Sequence, residues 1–404
     1  MPANGGSAAR RAAWPFWLAA LAAAFIALAA TGYRARDPDS RLYAELSARL
    51  SRAPVASWIA PEFPPGWFMS GPFREHPAGL FVPAAALAAL GYPAEQAAYA
   101  MNAVYQALGI VLLQQLAVTR APALESRALG WLIQLLPIAF TFRVRANHEA
   151  AVLLCLAAAI YGTERSIERR RYAALVAAGF GFLLLVKGLL VVFAPIVCAA
   201  WLVSRRAALR ARGDLWGWLA IVLGVASTAA VGFGYEAAYR AATGEPFWPL
   251  YAARQLGVAA VGGGASNLVA ERIYTASWYL ARLVWFAFPW SVVFAVAVWR
   301  ARGREAGSAD AALRAGALFA MLSAALYLAA FSLSDRRADR YIFPAYYAVA
   351  AAGIVAALRA SPRLRRLAER LDRPWVPALA WALLFAAHVA AGRLGLPTIK
   401  IWAG

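Results

Sequence analysis

The 404-residue sequence is short of charged residues and of cysteine, and each shortage excludes a class of protein. Charged residues make up 15% of the chain and apolar residues 63%. In soluble domains charged residues make up about 25% of the chain and apolar residues about 45–50%. A water-soluble core cannot enclose that much apolar surface, so lipid must be part of the solvent. The only two cysteines, Cys155 and Cys198, lie inside apolar runs, which excludes a disulfide scaffold.

The basic residues outnumber the acidic ones and give a formal net charge of +20. In a soluble protein this charge would suggest nucleic-acid binding. Here the arginines sit in short loops between apolar runs, as expected where Lys and Arg collect on the cytoplasmic side of a membrane. The charge therefore indicates a bilayer and no nucleic-acid partner.

Apolar runs close to the length of a spanning helix, about 20 residues, occur eleven times. They are 13–32, 96–119, 128–142, 147–163, 172–186, 188–203, 215–235, 276–299, 311–331, 341–358 and 375–392. The stretch 78–90 is shorter and contains Pro83, so it is predicted to be re-entrant or interfacial. With the basic loops inside, the N-terminus is cytoplasmic and the C-terminus outside. The sequence predicts an all-α polytopic protein, with 1–404 as one integral membrane domain.

The first apolar run resembles a signal peptide, but ten further runs follow it, so it is predicted to be a retained anchor. Two periplasmic regions are long: 33–95, with its interfacial helices, and 236–275. The second contains Gly262–Gly263–Gly264, which no Lys-Ser/Thr follows, so it indicates a flexible hinge and not a phosphate-binding loop. The unusual polar residues gather at the outer ends of the spans. Chemistry is therefore predicted at the outer membrane–water boundary.

The first polar cluster begins a short helix in the 33–95 region. Asp39 or Ser40 is predicted to cap a helix that runs through Leu50, while Asp37 is interpreted as a turn residue before Pro38. The apolar face of this helix would carry Leu42, Leu46 and Leu50. Asp39 has two interpretations: a cap alone, or a carboxylate that takes a proton from an incoming hydroxyl.

A second cluster immediately precedes the 78–90 stretch. Charged side chains there cost free energy unless they meet an ion, a phosphate or each other. Glu75 could hold a metal, and Arg74 or His76 could meet a phosphate. The alternative is a solvated interfacial rim.

A third cluster lies between the third and fourth runs, with Arg143 and Arg145 followed by His148 and Glu149. The sequence assigns no cofactor, and a divalent metal is a candidate, with Glu75 and His148 as its ligands. Two histidines and two glutamates on separate loops define no ligand spacing. The third histidine, His388, is alone in the last run and is expected to be a packing residue.

The chain has only two lysines, Lys187 and Lys400, and Lys187 lies within a long apolar stretch. It would either snorkel to the interface or hold a lipid-linked phosphate. An outer loop carries Arg336, Arg337 and Arg340 against the orientation rule, which indicates an anionic partner or a rim of internal ion pairs.

Six of these motifs together resemble a family. Asp39–Leu46 is similar to the acidic first-loop motif of the polyprenyl-phosphate-sugar-dependent glycosyltransferases with the GT-C fold. Protein O-mannosyltransferases and the lipid A aminoarabinose transferase are the closest comparison. The other similar stretches, in the family's order, are Glu75–Gly79, Glu149 before its apolar helix, Leu185–Gly188, Phe288–Ser291 and Phe331–Pro344.

The resemblance implies an inverting transfer of a sugar from polyprenyl (undecaprenyl) phosphate to an envelope acceptor, whether lipid, glycan or protein. The reaction would take place at the periplasmic face of a bacterial inner membrane. Asp39 would be the catalytic base, and Glu75 would organise the donor site or a metal. The donor phosphate would contact Lys187, Arg74, His76 and either Arg337 or Arg340. His76 stands where the family has a lysine. Candidate substrate-binding residues are Tyr43, Glu149, Arg143, Arg145 and the aromatic Trp58.

Two other functions fit parts of the pattern. A transporter or flippase for a lipid-linked or anionic substrate would use the same arginines without chemistry, but it would need a continuous polar path through the spans. In a non-catalytic assembly subunit the outer motifs would be only rims and caps. Loss of function in an Asp39→Asn variant would favour the enzyme.

Overall fold

A computed structural model describes residues 13–67, 69–119, 123–209, 214–259, 268–301, 308–334 and 336–395. Within these ranges the chain is helical and has no strand, only an isolated bridge between Glu62 and Pro72. The all-α prediction is confirmed. In lipid only such structures keep every backbone group hydrogen-bonded without pairing to another chain segment.

The helices include long apolar elements and short connecting ones. The α-helices are α1 (Trp14–Thr31), α2 (Pro38–Leu50), α3 (Phe81–Ala89), α4 (Ala94–Val118), α5 (Ala123–Leu132), α6 (Pro137–Phe142), α7 (Glu149–Ser166), α8 (Ala173–Lys187), α9 (Phe193–Leu209), α10 (Leu215–Thr243), α11 (Trp248–Ala259), α12 (Leu268–Phe286), α13 (Trp290–Ala301), α14 (Ser308–Ser332), α15 (Phe343–Ala360), α16 (Pro362–Arg370) and α17 (Val376–Arg393). Short 3₁₀ turns are Val55–Ile59, Ala78–Leu80, Ile133–Leu135, Arg170–Tyr172, Gly188–Val192 and Asp339–Ile342.

Nine of the eleven predicted runs contain a single α-helix, and two are divided at a proline. In 128–142 the backbone is extended at Leu136, because the residue before a proline is pushed out of the helical region. In 276–299 the break at 287–289 bends α12 against α13 by 103°. In the described residues seven helical segments are long and apolar enough to cross a membrane, or eight with the bent pair. Because that tally joins α8 and α9 into one segment, the count of eleven stays a prediction.

The two long outer regions contain helices of their own. The stretch 78–90 forms a 3₁₀ turn and α3, and its re-entrant or interfacial placement stays a prediction. In the region 236–275, α10 continues to Thr243 and α11 and the start of α12 follow, while Gly262–Gly264 lies outside the described residues.

Small residues allow the helices around the site to approach closely. α8 packs most extensively against α7 and α10, and α7 in turn packs against α4. A Cβ on Gly179 of α8 would lie 2.9 Å from the carbonyl oxygen of Cys155 on α7. Helices in membranes associate through such small residues. The close packing brings the ends of α7 and α8, with Glu149 and Lys187, to the same end of the bundle.

Candidate active site

The start of α2 is held by Asp37, not by Asp39 or Ser40 as predicted. The Ser40 backbone N–H donates to Asp37 Oδ1 at 3.0 Å, and Pro38 takes the first helical position. Proline suits that position because its missing N–H would have no partner there. Asp37 is therefore the cap, and the interpretation of Asp39 as a cap alone is wrong. The predicted apolar face is confirmed, since Leu42, Leu46 and Leu50 are all buried.

The Ser40 side chain ties α2 to the loop before α7. Its hydroxyl donates to Asn147 Oδ1 at 2.7 Å and accepts from the Ala146 backbone N–H at 3.0 Å. Two of the predicted motifs are thereby locked together. As a result Asp39 and Glu149 lie in one neighbourhood, although 110 positions separate them in the sequence.

Asp39 forms an ion pair with Arg340. Arg340 lies on the 3₁₀ turn before α15, and that turn is held by a hydrogen bond from Arg282 to Asp339 at 3.0 Å. The side chains of Asp39 and Arg340 are 38% and 32% exposed, so a ligand can reach both.

A pair of histidines packs beside this ion pair. The ring centroids of His76 and His148 are 4.1 Å apart, and Tyr43 meets His148 edge to face at 4.7 Å. Burial, followed by the charges of Lys187 and Arg340, holds the pKa of His76 well below its ordinary value. Burial does the same for the pKa of His148, together with the neighbouring His76 ring and the charges of Lys187 and Arg340. Both rings are therefore neutral at pH 7.

Several buried polar atoms in this cluster have no hydrogen-bond partner within the described residues. They are His76 Nδ1, His148 Nε2, Glu149 Oε2 and Arg340 Nε. Unsatisfied buried groups are costly, so such atoms indicate that water or a ligand completes the site. Burial and the charge of Asp39 raise the pKa of Tyr43, so its hydroxyl stays protonated.

Lys187 enters the cluster at the end of α8. The hydroxyl of Tyr251 donates to the Lys187 carbonyl at 3.3 Å and accepts from the Leu189 N–H at 3.2 Å. Between them Gly188 has φ +54°, and a Cβ there would lie 2.3 Å from the Tyr251 hydroxyl oxygen. Glu149 is the carboxylate whose charge acts most strongly on both Lys187 and Arg340.

Glu75 is engaged by a residue that the sequence did not single out. Arg254 of α11 forms an ion pair with it, and Gln255 Nε2 donates to the Glu75 carbonyl at 2.9 Å. An arginine in a predicted periplasmic region runs against the orientation rule, and this was the signal that could have found Arg254.

The other predicted site residues have partners away from the histidine pair. Arg74 donates to the Tyr239 hydroxyl at 3.1 Å and pairs with Glu245, while Arg337 lies over the Tyr274 ring at 4.7 Å. Arg145 Nε lies 3.6 Å from Asp37 Oδ2. The buried Arg143 donates to the Gln134 carbonyl. The Trp58 ring N–H donates to the Ala53 carbonyl at 3.2 Å. Their predicted roles stay predictions.

Comparison with known proteins gives a likeness of structure alone. No protein-family model matches the chain, and no curated protein matches its sequence. ArnT from Cupriavidus metallidurans bound to undecaprenyl phosphate superposes with a TM-score of 0.66 at 17% identity, over 94% of this chain and 77% of that one. The apo state of the same ArnT superposes with a TM-score of 0.66 at 18% identity, over 94% of this chain and 76% of that one. The Archaeoglobus fulgidus oligosaccharyltransferase in complex with Zn and sulfate gives 0.53 at 14%, over 93% of this chain and 53% of that one.

The chain has the fold of the GT-C glycosyltransferases. The resemblance of its short motifs predicted this fold, and the superpositions confirm it. At this identity the likeness carries no residue roles.

The chain does not present a ready metal site in its described residues. No group of three or more His, Cys, Asp or Glu side chains is close enough there to hold an ion. Glu75 is occupied by Arg254, and His148 lies beside cations that would repel a metal. These residues do not fit a divalent ion, so a metal cofactor stays a prediction and no step below depends on one.

An apolar groove begins at Pro344, four residues after Arg340. Its walls are formed by α4, α7, α9, α14 and α15. Pro344 and Tyr347, just after the Arg340 turn, line one end, and Ala312 and Leu313 line the other. Such a groove is suited to a long hydrocarbon chain whose polar end stays at Arg340.

Proposed function

We propose that this protein is an inverting glycosyltransferase that moves a sugar from undecaprenyl phosphate, or a related polyprenyl phosphate, to an envelope acceptor. Two neighbouring features carry the proposal: the carboxylate Asp39 lies with the cations Arg340 and Lys187, and an apolar groove begins at Pro344, four residues after Arg340. The undecaprenyl phosphate bound to ArnT, which shares the fold, supports a lipid-phosphate donor.

The reaction needs one base for the acceptor hydroxyl and cations that stabilise the leaving phosphate. An acceptor hydroxyl oxygen attacks the anomeric carbon as the bond from that carbon to the phosphate oxygen breaks. The bonding electrons leave with the phosphate, and the hydroxyl proton passes to Asp39. Because a phosphate is a good leaving group, it needs cations and no proton donor.

Arg340 and Lys187 would bind the departing phosphate. Arg340 presents a planar set of donors suited to phosphate oxygens, and Lys187 a compact charge. His76 would contribute only a neutral hydrogen bond, because its pKa is held low by burial and by these cations.

The sugar would occupy the space bounded by Tyr43, the histidine pair and Glu149. The unpartnered Glu149 Oε2 would accept from sugar hydroxyls, and the imidazole nitrogens can donate or accept. The polyprenyl tail would follow the apolar groove along α15. The excess of arginines at the opposite helix ends supports a cytoplasmic N-terminus and a periplasmic site.

The test uses purified protein, radiolabelled polyprenyl-phosphate sugars and envelope lipid extract. Transfer of label to an acceptor by the wild type, and its loss in Asp39→Asn, are expected. A wild type that moves labelled donor across liposomes without breaking the sugar–phosphate bond, with Asp39→Asn equally active, would instead identify a flippase.

A further inference from the structure

A second cavity, of about 930 Å³, lies at the end of the bundle away from the candidate active site. α7 begins at Glu149 but contributes Tyr161, near its other end, to this cavity. α8 ends at Lys187 but contributes Leu175, near its start. The cavity also lies on a different face of α7 from the groove that begins at Pro344: Leu154 and Ala158 line the cavity, whereas Leu153 and Leu156 line the groove. Its volume falls at the upper end of the range for ligand pockets, about 300–1,000 Å³.

The cavity has apolar walls and a polar rim. Its walls come from α1, α4, α7 and α8 and include Val111, Leu112, Leu154, Ala158 and Phe182. The rim carries Gln114, Ser126 and an ion pair between Arg127 and Asp372. Trp14 also lies at the rim and is 45% exposed, as is typical of tryptophan at the level of lipid headgroups.

The segment that supplies the rim residues Asp372 and Pro374 follows directly after a basic amphipathic helix, α16. Arg363, Arg366 and Arg370 form one exposed stripe along it, at helical spacing. The opposite face carries Leu364, Ala368 and Leu371, which are buried or half-buried.

The position of α16 places its arginines far from the candidate active site. α16 follows α15, whose 18 residues begin after Arg340 and span about 27 Å. α16 carries four arginines and one acid, Glu369, which pairs with Arg365 at 3.3 Å. The nearby acid Asp372 is already paired with Arg127, so the exposed stripe keeps its positive charge.

We propose that this cavity and α16 form a binding site for an anionic phospholipid of the leaflet opposite the active site. The acyl chains fill the apolar cavity, and the headgroup phosphate meets the arginine stripe. Basic pockets between membrane helices recognise anionic headgroups in this way. A zwitterionic lipid would fill the cavity but would leave the arginines without a net counter-charge. The proposal does not depend on the proposed glycosyltransferase activity.

The first test removes the charge. The full-length protein is purified in detergent with equal phosphatidylglycerol and phosphatidylcholine, and retained lipid is identified by native mass spectrometry. We expect the wild type to keep phosphatidylglycerol. An Arg363→Gln/Arg366→Gln/Arg370→Gln variant should bind it about tenfold or more weakly, since each arginine near an anionic surface contributes about fivefold. The matched control removes three exposed arginines outside α16 that are predicted to lie at the same end of the bundle: Arg169→Gln/Arg206→Gln/Arg300→Gln.

The second test fills the cavity without touching a charge. Ala178 is exposed on α8 and lines the cavity, while Ala174, one turn earlier, is exposed and does not line it. Ala178→Phe should lose the retained lipid and the rise in unfolding temperature that phosphatidylglycerol produces, and Ala174→Phe should keep both. Equal retention in the two variants, preference for phosphatidylcholine, or a polyprenyl phosphate as the retained species would each overturn the proposal.

Discussion

Arg340 and Asp39 form an ion pair although 301 positions separate them in the sequence. The same arginine is the cation proposed to bind the donor phosphate, four residues before the apolar groove begins at Pro344. Without donor, the carboxylate that would act as base is therefore neutralised by the group that would bind the leaving group. On the proposed mechanism, a phosphate that drew Arg340 away would leave Asp39 free to accept a proton, so the base would become available as the donor binds.

Asp39→Asn should lower the transfer rate by about 100- to 10,000-fold, the usual contribution of a general base. Asp37→Asn is the matched control, because asparagine caps a helix as well as aspartate and the Ser40 contact is kept. Initial rates of label transfer, with unfolding temperatures for both variants, check this. Comparable rates in Asp39→Asn and wild type would remove Asp39 as the base.

Arg340→Gln should reduce transfer about 100-fold, while Arg337→Gln should change it less than about threefold. The sequence left these two arginines as alternatives. In the structure Arg340 contacts Asp39, and Arg337 lies over the Tyr274 ring. The measurement is kcat/KM for donor. A larger loss in Arg337→Gln would assign the phosphate to Arg337.

The helical architecture could be predicted from the sequence because composition and apolar run length are local properties. The cap of α2 could have been predicted too: an aspartate before a proline is a strong helix start, and Asp37 has that position. The breaks at Leu136 and at 287–289 have the same kind of local signal, a proline, inside runs that were interpreted as continuous.

The contacts of the site could not be predicted in this way. The order of the motifs did not predict that Asp39, His148 and Arg340 lie beside each other. Which helix ends meet is decided by tertiary packing. Arg254 was missed since its partner, Glu75, lies 179 positions earlier and no spacing relates the two.

Lys187→Ala should raise the donor KM by about 10- to 100-fold and leave the acceptor KM nearly unchanged. Loss of one hydrogen bond to a charged group costs about 1.5–3 kcal/mol. Lys187→Arg, which keeps the charge, should recover part of the donor affinity. Steady-state kinetics with each substrate varied in turn give the answer, and equal changes in both KM values would indicate a packing role instead.

His148 should make the protein less stable as the pH falls below about 6.5, the ordinary histidine pKa. Its folded pKa is depressed by burial, and also by the neighbouring His76 ring and the charges of Lys187 and Arg340, so below that pH the unfolded chain binds a proton that the folded chain does not. Above that pH the effect vanishes. His148→Asn should therefore flatten the fall in unfolding free energy between pH 6.5 and 5, by up to about 1.4 kcal/mol per pH unit. Parallel pH profiles for variant and wild type would contradict this.

Gly79→Ala should destabilise the protein by about 1–3 kcal/mol, the usual cost of overpacking. A Cβ on Gly79 would lie 2.5 Å from Leu185 Cβ and 2.7 Å from the Leu185 carbonyl oxygen. Leu185 stands two residues before Lys187, so separating these segments should also move His76 away from Lys187 and raise the donor KM. Gly234→Ala on α10 is the control, because its Cβ would meet no atom within 4 Å. If Gly79→Ala unfolds at the same temperature as Gly234→Ala and keeps the wild-type donor KM, the close approach of the 75–79 loop to α8 does not hold Lys187 in place.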